Sequence, residues 1–196
     1  FTALTIKLLE GISTDAEEEG YSSSTGGQDL SVVQVLVDQL VTLSGYSIIN
    51  IRDGATEAAV AIGKTVIRDL LSRREEASQQ RRLMEAEAGK ASRGKPTKRY
   101  NHLVVTIKRM EQCLKSLDVV AKTIFDGCLV VRLRDTHERM RAACLSHLGQ
   151  WVQIDPDKYM RDEYLKYLGW SLNDDKDEVR RAAVGALHRI IDRTEH

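Results

Sequence analysis

The chain has few of the residues that interrupt helices or cross-link a small fold. Its 196 residues include two prolines and three cysteines, and aromatic residues make up 5%. Both prolines, Pro96 and Pro156, stand where helices are expected to end. Cys113, Cys128 and Cys144 are widely spaced among apolar residues, so we expect buried reduced thiols and neither a disulfide nor a metal site. These scarcities favour a helical protein held together by packing.

The sequence also has no run close to the roughly 20 apolar residues that a membrane helix requires. The opening stretch, FTALTIKLLEGI, has no basic leader and resembles a cut through a helix more than a signal peptide. With apolar residues at 42% and charged residues at 30%, the composition is that of a soluble intracellular scaffold. We therefore expect a fragment of a longer protein that does not bind a membrane.

Motifs that carry catalytic chemistry are absent from the sequence. There is no glycine-rich loop between a strand and a helix, no HExxH motif and no Cys–His pair at ligand spacing. The five histidines are dispersed, and each is expected to be a surface or packing residue. The sequence thus predicts a protein that is not an enzyme, uses no cofactor or small-molecule substrate, and acts through its surfaces.

What the sequence does contain is one pattern written twice. An acidic turn, an apolar residue followed by Arg, and an Ala-rich apolar run occur around Asp135 and Arg141, and again around Asp175 and Arg180. The period is about 39 residues, typical of helical repeats. A third copy surrounds Arg52. The predicted fold is all-α, a solenoid of stacked HEAT-type repeats in which the arginines pair with acidic turns and set the register.

The remaining segments divide the chain further. Residues 12–30 are polar and rich in Gly and Ser, and are predicted to be a mobile loop. Residues 47–119 carry two long helical patterns around a turn with Gly94 and Pro96, which predicts a long antiparallel hairpin protruding from the solenoid. Residues 120–196 hold the two clear repeats.

Net charge is zero, but acidic residues dominate the first 30 positions and basic residues dominate positions 72–99. The predicted hairpin tip carries the cationic residues Lys90, Arg93, Lys95, Lys98 and Arg99. Clustered cations gain affinity for nucleic acid by releasing counterions from phosphates. Charge on every face of a thin, solvated hairpin is the structural alternative, and for the stretch from Arg73 to Arg82 it is the favoured one.

A second candidate surface lies in the segment DEYLKYLGW, which ends near a helix C-terminus at Gly169. Trp170 either fills the core between repeats or forms an exposed ring that receives an apolar anchor from a partner. In the preceding unit, Arg132 and Arg134 alternate with Val131 and Leu133, which predicts a mixed apolar and cationic rim.

These residues carry a family resemblance. The segments VVRLRDTHERMRAACLSHLGQWV and EYLKYLGWSLNDDKDEVRRAAVGAL resemble the stromalin conservative domain of cohesin stromal-antigen subunits, most closely over residues 125–187. The upstream stretch SGYSIINIRDGATEAAVAIGKTVIRDLL, followed by a charged hairpin, is similar to the family's arrangement before that domain. The resemblance therefore places the stromalin conservative domain at residues 120–196.

The resemblance implies a nuclear, chromosome-associated adaptor that supports sister chromatid cohesion and chromosome segregation. It implies docking on the kleisin subunit, contact through the kleisin with the SMC subunits, and binding of double-stranded DNA without sequence preference. It also implies a surface that receives short aromatic motifs from regulators such as shugoshin or, in animals, the zinc-finger insulator protein. A nuclear-transport or other protein-only HEAT adaptor, and a scaffold subunit of an enzyme, share the same periodicity and remain alternatives.

The family's regulator pocket transfers to this chain residue by residue. Its Trp, Arg and neighbouring acid and base correspond to Trp170, Arg134, Asp162 and Lys166. Animal members have Tyr before that Arg, whereas this chain has Leu133. An aliphatic wall still accepts an aromatic anchor, but without a stacking ring or hydroxyl, so the resemblance implies a different ligand motif.

Overall fold

The computed structural model describes residues 25–89 and 97–194, with side chains for residues 31–89 and 97–192, and all regular structure in these ranges is helical. In chain order the helices are α1 (Thr25–Ser44), α2 (Ile49–Ala88), α3 (Lys98–Ile124), α4 (Val130–Arg132), α5 (Glu138–Ile154), α6 (Pro156–Tyr159), α7 (Asp162–Ser171) and α8 (Asp177–Thr194). One π-helical turn, Phe125–Leu129, joins α3 to α4. The predicted all-α, repeat-type fold is confirmed.

A single apolar core runs through the stacked helices. The first half of α2 is central to it, because its small and branched residues at helical spacing pack against α1, α3 and α5. Helix α5 then packs along α8, where the Cα atoms approach closely enough that a Cβ added to Gly149 would lie 2.8 Å from the Cβ of Ala186. The Ala-rich runs of the repeats therefore serve as close-packing surfaces between helices.

Helices α2 and α3 lie antiparallel. Ion pairs join Arg74 to Asp118 at 3.9 Å, Arg81 to Glu111 at 2.7 Å and Arg99 to Glu87 at 3.9 Å. As the residue number rises along α2, the number of its partner on α3 falls, which is the pattern of an antiparallel pair. Towards residues 88 and 98 the described side chains are mostly exposed, as the charged second half of α2 predicts. The turn itself, residues 90–96, lies outside the described residues.

Two predicted boundaries differ from the observed ones. Helix α1 begins at Thr25, so residues 25–30 of the loop predicted over 12–30 are helical, and the rest of that loop lies outside the described residues. Extending a helix already held by tertiary packing adds one hydrogen bond per residue, which outweighs weak local propensity. Helix α3 continues past residue 119, because Val120, Ala121 and Ile124 extend its buried face into the core.

The repeats are linked by an arginine ladder, in which one guanidinium joins two successive turns. Arg52 donates one hydrogen bond to the carbonyl of Tyr46 in its own turn, at 3.2 Å. Its other nitrogens bind the Asp135 carboxylate of the next turn, at 3.0 and 3.1 Å. Both side chains are nearly buried. The sequence-based prediction that these arginines pair with acidic turns is thus confirmed for Arg52, whose acidic partner lies in the following turn.

The next repeat reproduces this geometry. Arg141 donates to the carbonyl of Asp135, six residues earlier, at 2.8 Å. Its Nε and Nη2 atoms form a two-pronged contact with the Asp174 carboxylate at 2.8 and 2.7 Å. Each of these aspartates also accepts the backbone N–H two residues on, which shapes its own turn. Arg180 donates likewise to the carbonyl of Asp174. One residue pair therefore fixes both the turn and the stacking register.

We expect Arg141→Met to lower the free energy of unfolding by about 2 kcal/mol at neutral pH, because it leaves the Asp174 carboxylate without its charged donor. Arg141→Lys keeps the charge but not the forked geometry and should recover only part of the loss. Arg181→Met, which alters the exposed neighbouring arginine, is the matched control. Denaturant unfolding of the four proteins measures these differences.

The same contact predicts a pH dependence. The Arg141 guanidinium holds the pKa of Asp174 at about 2, below its ordinary value. A lowered folded-state pKa means that the stabilisation is complete above roughly pH 4 and is lost as the pH falls towards 2. The stability difference between wild type and Arg141→Met should therefore shrink over that interval, and a difference that stays constant would contradict the assignment.

Gly63 of α2 provides the slot into which Trp151 packs. The indole is fully buried, and a Cβ added at Gly63 would lie 2.3 Å from its Cζ2 atom. A methyl group there forces the ring and the facing helices apart, since core side chains have no free volume to yield. This contact sets the distance between α2 and α5.

We predict that Gly63→Ala destabilises the chain by about 1–3 kcal/mol through this overlap. Gly54→Ala, in the same helix but with open space around the added Cβ, should instead stabilise it by up to about 1 kcal/mol through helix propensity. Thermal unfolding of the two variants gives shifts of opposite sign. Equal shifts would show that the contact between Gly63 and Trp151 does not limit the size of the residue at position 63.

Candidate functional site

Helix α7 displays the predicted pocket residues of the DEYLKYLGW segment. Asp162 and Glu163 occupy its first turn, where their negative charges interact favourably with the positive end of the helix dipole. Leu168 is fully buried and anchors the helix to the core. Trp170 lies near the C-terminal end, eight residues or about 12 Å along the axis from Asp162. The helix is thus fixed on one side and exposed on the other.

Aromatic rings connect this exposed side to the core. An aromatic series, defined as Trp151, Tyr159, Tyr164, Phe125, Tyr167 and Trp170, has successive ring-centroid distances of 5.5, 4.9, 4.7, 6.0 and 5.5 Å. All five contacts are edge-on, the arrangement that aromatic quadrupoles favour. The series begins at a buried indole and ends at an exposed one, so the outer ring is supported by packed neighbours.

The indole of Trp170 is 58% exposed. Of the two sequence-based interpretations, the structure supports an exposed ring; the indole that fills the core is Trp151. The Lys166 Nζ atom lies 5.8 Å from the Trp170 ring centroid and 5.1 Å from that of Tyr167. A cation at this distance is attracted to both ring faces. Trp170, Tyr167 and Lys166 together form what we call the tryptophan surface.

The other two predicted pocket residues lie on the preceding repeat. Leu133 is 8% exposed and belongs to the core, so it offers little area as a pocket floor. Arg134 is exposed and directly precedes the ladder residue Asp135. Among the described residues, the ring and cation contacts of Trp170 are with Tyr167 and Lys166 and do not include Leu133 or Arg134. Arg132 of the predicted rim binds Asp135 at 2.6 Å.

The predicted cationic tip is described only in part. Lys98 and Arg99 are exposed in the first turn of α3, which Thr97 caps by accepting the N–H of Tyr100 at 3.0 Å. Lys90, Arg93 and Lys95 lie outside the described residues. Between residues 73 and 82, Arg73 binds Asp69 at 2.8 Å and Arg81 binds Glu111, which supports the structural interpretation of that stretch.

Sequence reasoning did not foresee the contact that positions the loop before α7. Asp155, which is buried, caps α6 by accepting the N–H of Lys158 at 3.2 Å and also binds Arg74 of the long helix α2 at 2.9 Å. Lys158 in turn binds Asp118 of α3. The hairpin helices and the domain that carries Trp170 are therefore joined by polar contacts as well as by the core. The charge at Arg74 was visible in the sequence, but its distant partner was not.

Within residues 31–89 and 97–192, the side chains form no cluster of three metal-binding groups. Cys128 and Cys144 are buried, and burial raises the pKa of both thiols, which keeps them protonated. Burial likewise raises the pKa of Tyr159. None of the helices in the described ranges combines the length and apolar character needed to cross a bilayer. At the tryptophan surface itself, the groups presented to solvent are an exposed indole ring and the Lys166 ammonium group beside it.

Comparison with known proteins places this surface in a family context. Residues 134–196 match the model of the stromalin conservative domain. This range contains Arg134, Asp162, Lys166 and Trp170, and it begins one residue after Leu133. All residues of α5 to α8, including the tryptophan surface, thus lie within the matched domain.

Similar proteins include cohesin subunit SA-3 of Mus musculus, which is 30% identical over 152 residues. That alignment covers 78% of this chain and 12% of the mouse protein. Sister-chromatid cohesion protein 3 of Arabidopsis thaliana is 37% identical over 83 residues, covering 42% of this chain and 8% of the plant protein. The chain thus matches about an eighth of the length of the mouse protein and a smaller share of the length of the plant protein.

A similar fold occurs in the solved structure of cohesin subunit Scc3 from Z. rouxii. The TM-score is 0.79 at 20% sequence identity, and the match covers 96% of this chain and 21% of that chain. At this identity the similarity establishes the fold, a helical repeat array.

Proposed function

We propose, since this chain belongs to the stromalin family of cohesin subunits, that it is a non-catalytic segment of such a subunit and recruits regulator peptides through the tryptophan surface. The observation that carries this proposal is the exposed Trp170, supported from the core by the aromatic series and flanked by Lys166. In this role the segment supports sister chromatid cohesion and chromosome segregation, and it works in the nucleus on chromosomes.

The physical basis of recruitment is a ring that is already ordered before the partner arrives. Tyr167 meets the Trp170 ring edge-on and Leu168 fixes the helix, so binding orders few side chains of the protein. The open indole face accepts an aromatic or aliphatic side chain. Lys166, together with Arg134 on the neighbouring repeat, attracts acidic residues on either side of that anchor.

Further partners follow from the place of the chain within a larger subunit. We infer that the subunit docks on the kleisin, and through it joins the SMC subunits, with repeats beyond those described here contributing to the contact. The exposed Lys98 and Arg99, with the other cationic tip residues, are proposed to meet DNA phosphates without reading bases. The competing role, a protein-only adaptor such as a nuclear-transport scaffold, uses the same stacking but needs no contact with DNA.

We predict that Trp170→Ala weakens binding of a short peptide carrying one aromatic residue among acidic ones by about 2 kcal/mol or more, which is roughly 30-fold in Kd. The loss arises because truncation removes the apolar face that the anchor covers. Isothermal calorimetry of the chain with this peptide measures the effect.

Val184→Ala, at an exposed apolar position on α8, is the matched control and should leave the peptide affinity unchanged. Lys166→Ala should weaken binding less than Trp170→Ala and only at low salt. A Trp170→Ala chain that binds as tightly as wild type would remove the tryptophan surface from the mechanism.

For the DNA contact, we predict that affinity for a random-sequence duplex falls steeply with salt. Each phosphate contact contributes about 0.9 to the slope of log K against log salt, so Lys98→Glu with Arg99→Glu should flatten the slope by about one to two. Lys122→Glu, a charge reversal at the opposite end of α3, is the control. A wild-type slope near zero would favour the protein-only adaptor.

A further inference from the structure

Partly buried arginines in this structure bind carboxylates, with one exception. Of the six arginines whose described side chains are not exposed, five do so, namely Arg52, Arg73, Arg132, Arg141 and Arg180. The sixth, Arg189 of α8, donates from Nη2 to the hydroxyl group of Ser146 at 3.3 Å. Its Nε atom is buried and has no hydrogen-bond partner among the described residues. Because a guanidinium group has many N–H donors, most of those of Arg189 are unused.

The partly buried lysines show the same contrast. Within the described ranges there are two, and Lys158 binds a carboxylate. The other, Lys64 of α2, donates to the side-chain carbonyl of Gln150 at 3.1 Å. Gln150 and Ser146 lie one turn apart on α5 and therefore share a face. The two partly buried cations that bind only neutral groups thus reach the same face of α5, Lys64 from α2 and Arg189 from α8.

Helix α5 forms the floor of a trough between α2 and α8. From Met140 to Ile154 none of its side chains is exposed, whereas Glu57 on α2 and Val184 on α8 are. Neighbouring packed helices lie about 8–10 Å apart, so the two walls are roughly 16–20 Å from each other. The floor between them is polar at Ser146 and Gln150. An extended chain can lie along such a floor and form hydrogen bonds with it.

Cations predominate at the level of Lys64 and Arg189. Two carboxylates border this part of the trough, and histidines bind both: His147 binds Glu57 at 3.0 Å and His188 binds Asp192 at 2.7 Å. The cations are Lys64, Arg189 and the exposed Arg68, and none of the three binds a carboxylate among the described residues. A carboxylate placed between Lys64 and Arg189 would gain charge-assisted hydrogen bonds from both.

The carboxylates on the walls determine which anion fits. A nucleic acid carries a negative charge at every phosphate, so a strand laid in the trough would meet Glu57 and Asp192 as well as the cations. A peptide with one short run of Asp or Glu places its charge at the cations alone. Lys64 and Arg189 are also held down against α5, whereas cations that bind a phosphate backbone project from a surface. The charges therefore match a short acidic run in a peptide.

We propose that Lys64 and Arg189 with the polar floor of α5, which we call the cation pair site, bind a short run of Asp or Glu in an extended partner peptide. The guanidinium of Arg189 takes one carboxylate in a forked contact, and the Lys64 ammonium takes its neighbour. Ser146 and Gln150, released from the cations, form hydrogen bonds with the peptide backbone. The site shares no residue with the tryptophan surface or the cationic tip, and it goes beyond the function proposed for them.

Fluorescence anisotropy at low salt tests the site, with a fluorescein-labelled peptide in which Glu alternates with Ser. Every protein carries Trp170→Ala, so that the tryptophan surface does not contribute. Lys64→Gln with Arg189→Gln should weaken peptide binding by about tenfold or more, because both cations are lost. Lys108→Gln with Arg109→Gln removes one lysine and one arginine from exposed positions on α3 and is the matched control. It should leave the affinity within about twofold of the parent chain.

A second variant separates binding from folding. Gln150→Glu gives Lys64 a carboxylate partner within the chain and thereby fills the site. Its melting temperature should equal or exceed that of the parent chain, because a partly buried cation gains a charged acceptor. Its peptide affinity should nevertheless fall about as far as that of Lys64→Gln with Arg189→Gln. Residues needed only for the fold would not lose binding while stability is kept.

The proposal would be overturned by any of three results. The first is unchanged peptide affinity in Lys64→Gln with Arg189→Gln or in Gln150→Glu. The second is an equal loss of affinity in the Lys108 and Arg109 control, which would mean that the peptide responds to net charge and has no site. The third is a random-sequence DNA duplex that displaces the peptide and whose own affinity depends on Lys64 and Arg189, which would make nucleic acid the occupant. Since all the proteins carry Trp170→Ala, none of these results bears on the tryptophan surface.

Discussion

The contact between one arginine and the aspartate of the following turn is the interaction on which the rest of this structure depends. Arg52 with Asp135, and Arg141 with Asp174, each place a charge pair of limited exposure between successive repeats. Such a pair contributes little net stability, because desolvation offsets much of the attraction. Its effect is on register: a shift of one residue would leave two charges without partners, so only one stacking arrangement satisfies both repeats.

Register at the ladder decides what the outer surface displays. The short helix α7 follows α5 and α6, and its direction is set where Phe125 and Tyr159 pack on Tyr164. Gly63 and Trp151 fix α5 against α2, and the ladder fixes α5 against the turn before α8. The aromatic series therefore has one geometry. The exposure of Trp170 is thus a consequence of contacts made well inside the repeat array.

The sequence predicts the helices well because helix formation depends mainly on residues that are close together in the sequence. Apolar residues at helical spacing and the repeated Arg motif indicate the repeats, and the acidic turn indicates the arginine's partner. It could not distinguish the exposed Trp170 from a core indole, since both lie on amphipathic helices and only the slot at Gly63 selects Trp151. Leu133 was expected in a pocket wall, yet packing against neighbouring helices buries it. These outcomes depend on partners distant in sequence.

The first repeat departs from the ladder in one informative respect. At the position of Asp135 and Asp174 it has Tyr46, whose side chain supplies no carboxylate and is exposed. Arg52 still donates to the backbone carbonyl there, so the turn keeps its shape without the acid. The turn is therefore released from the charge requirement that constrains the other two. The shape of this turn therefore depends on the backbone carbonyl of residue 46 and not on its side chain.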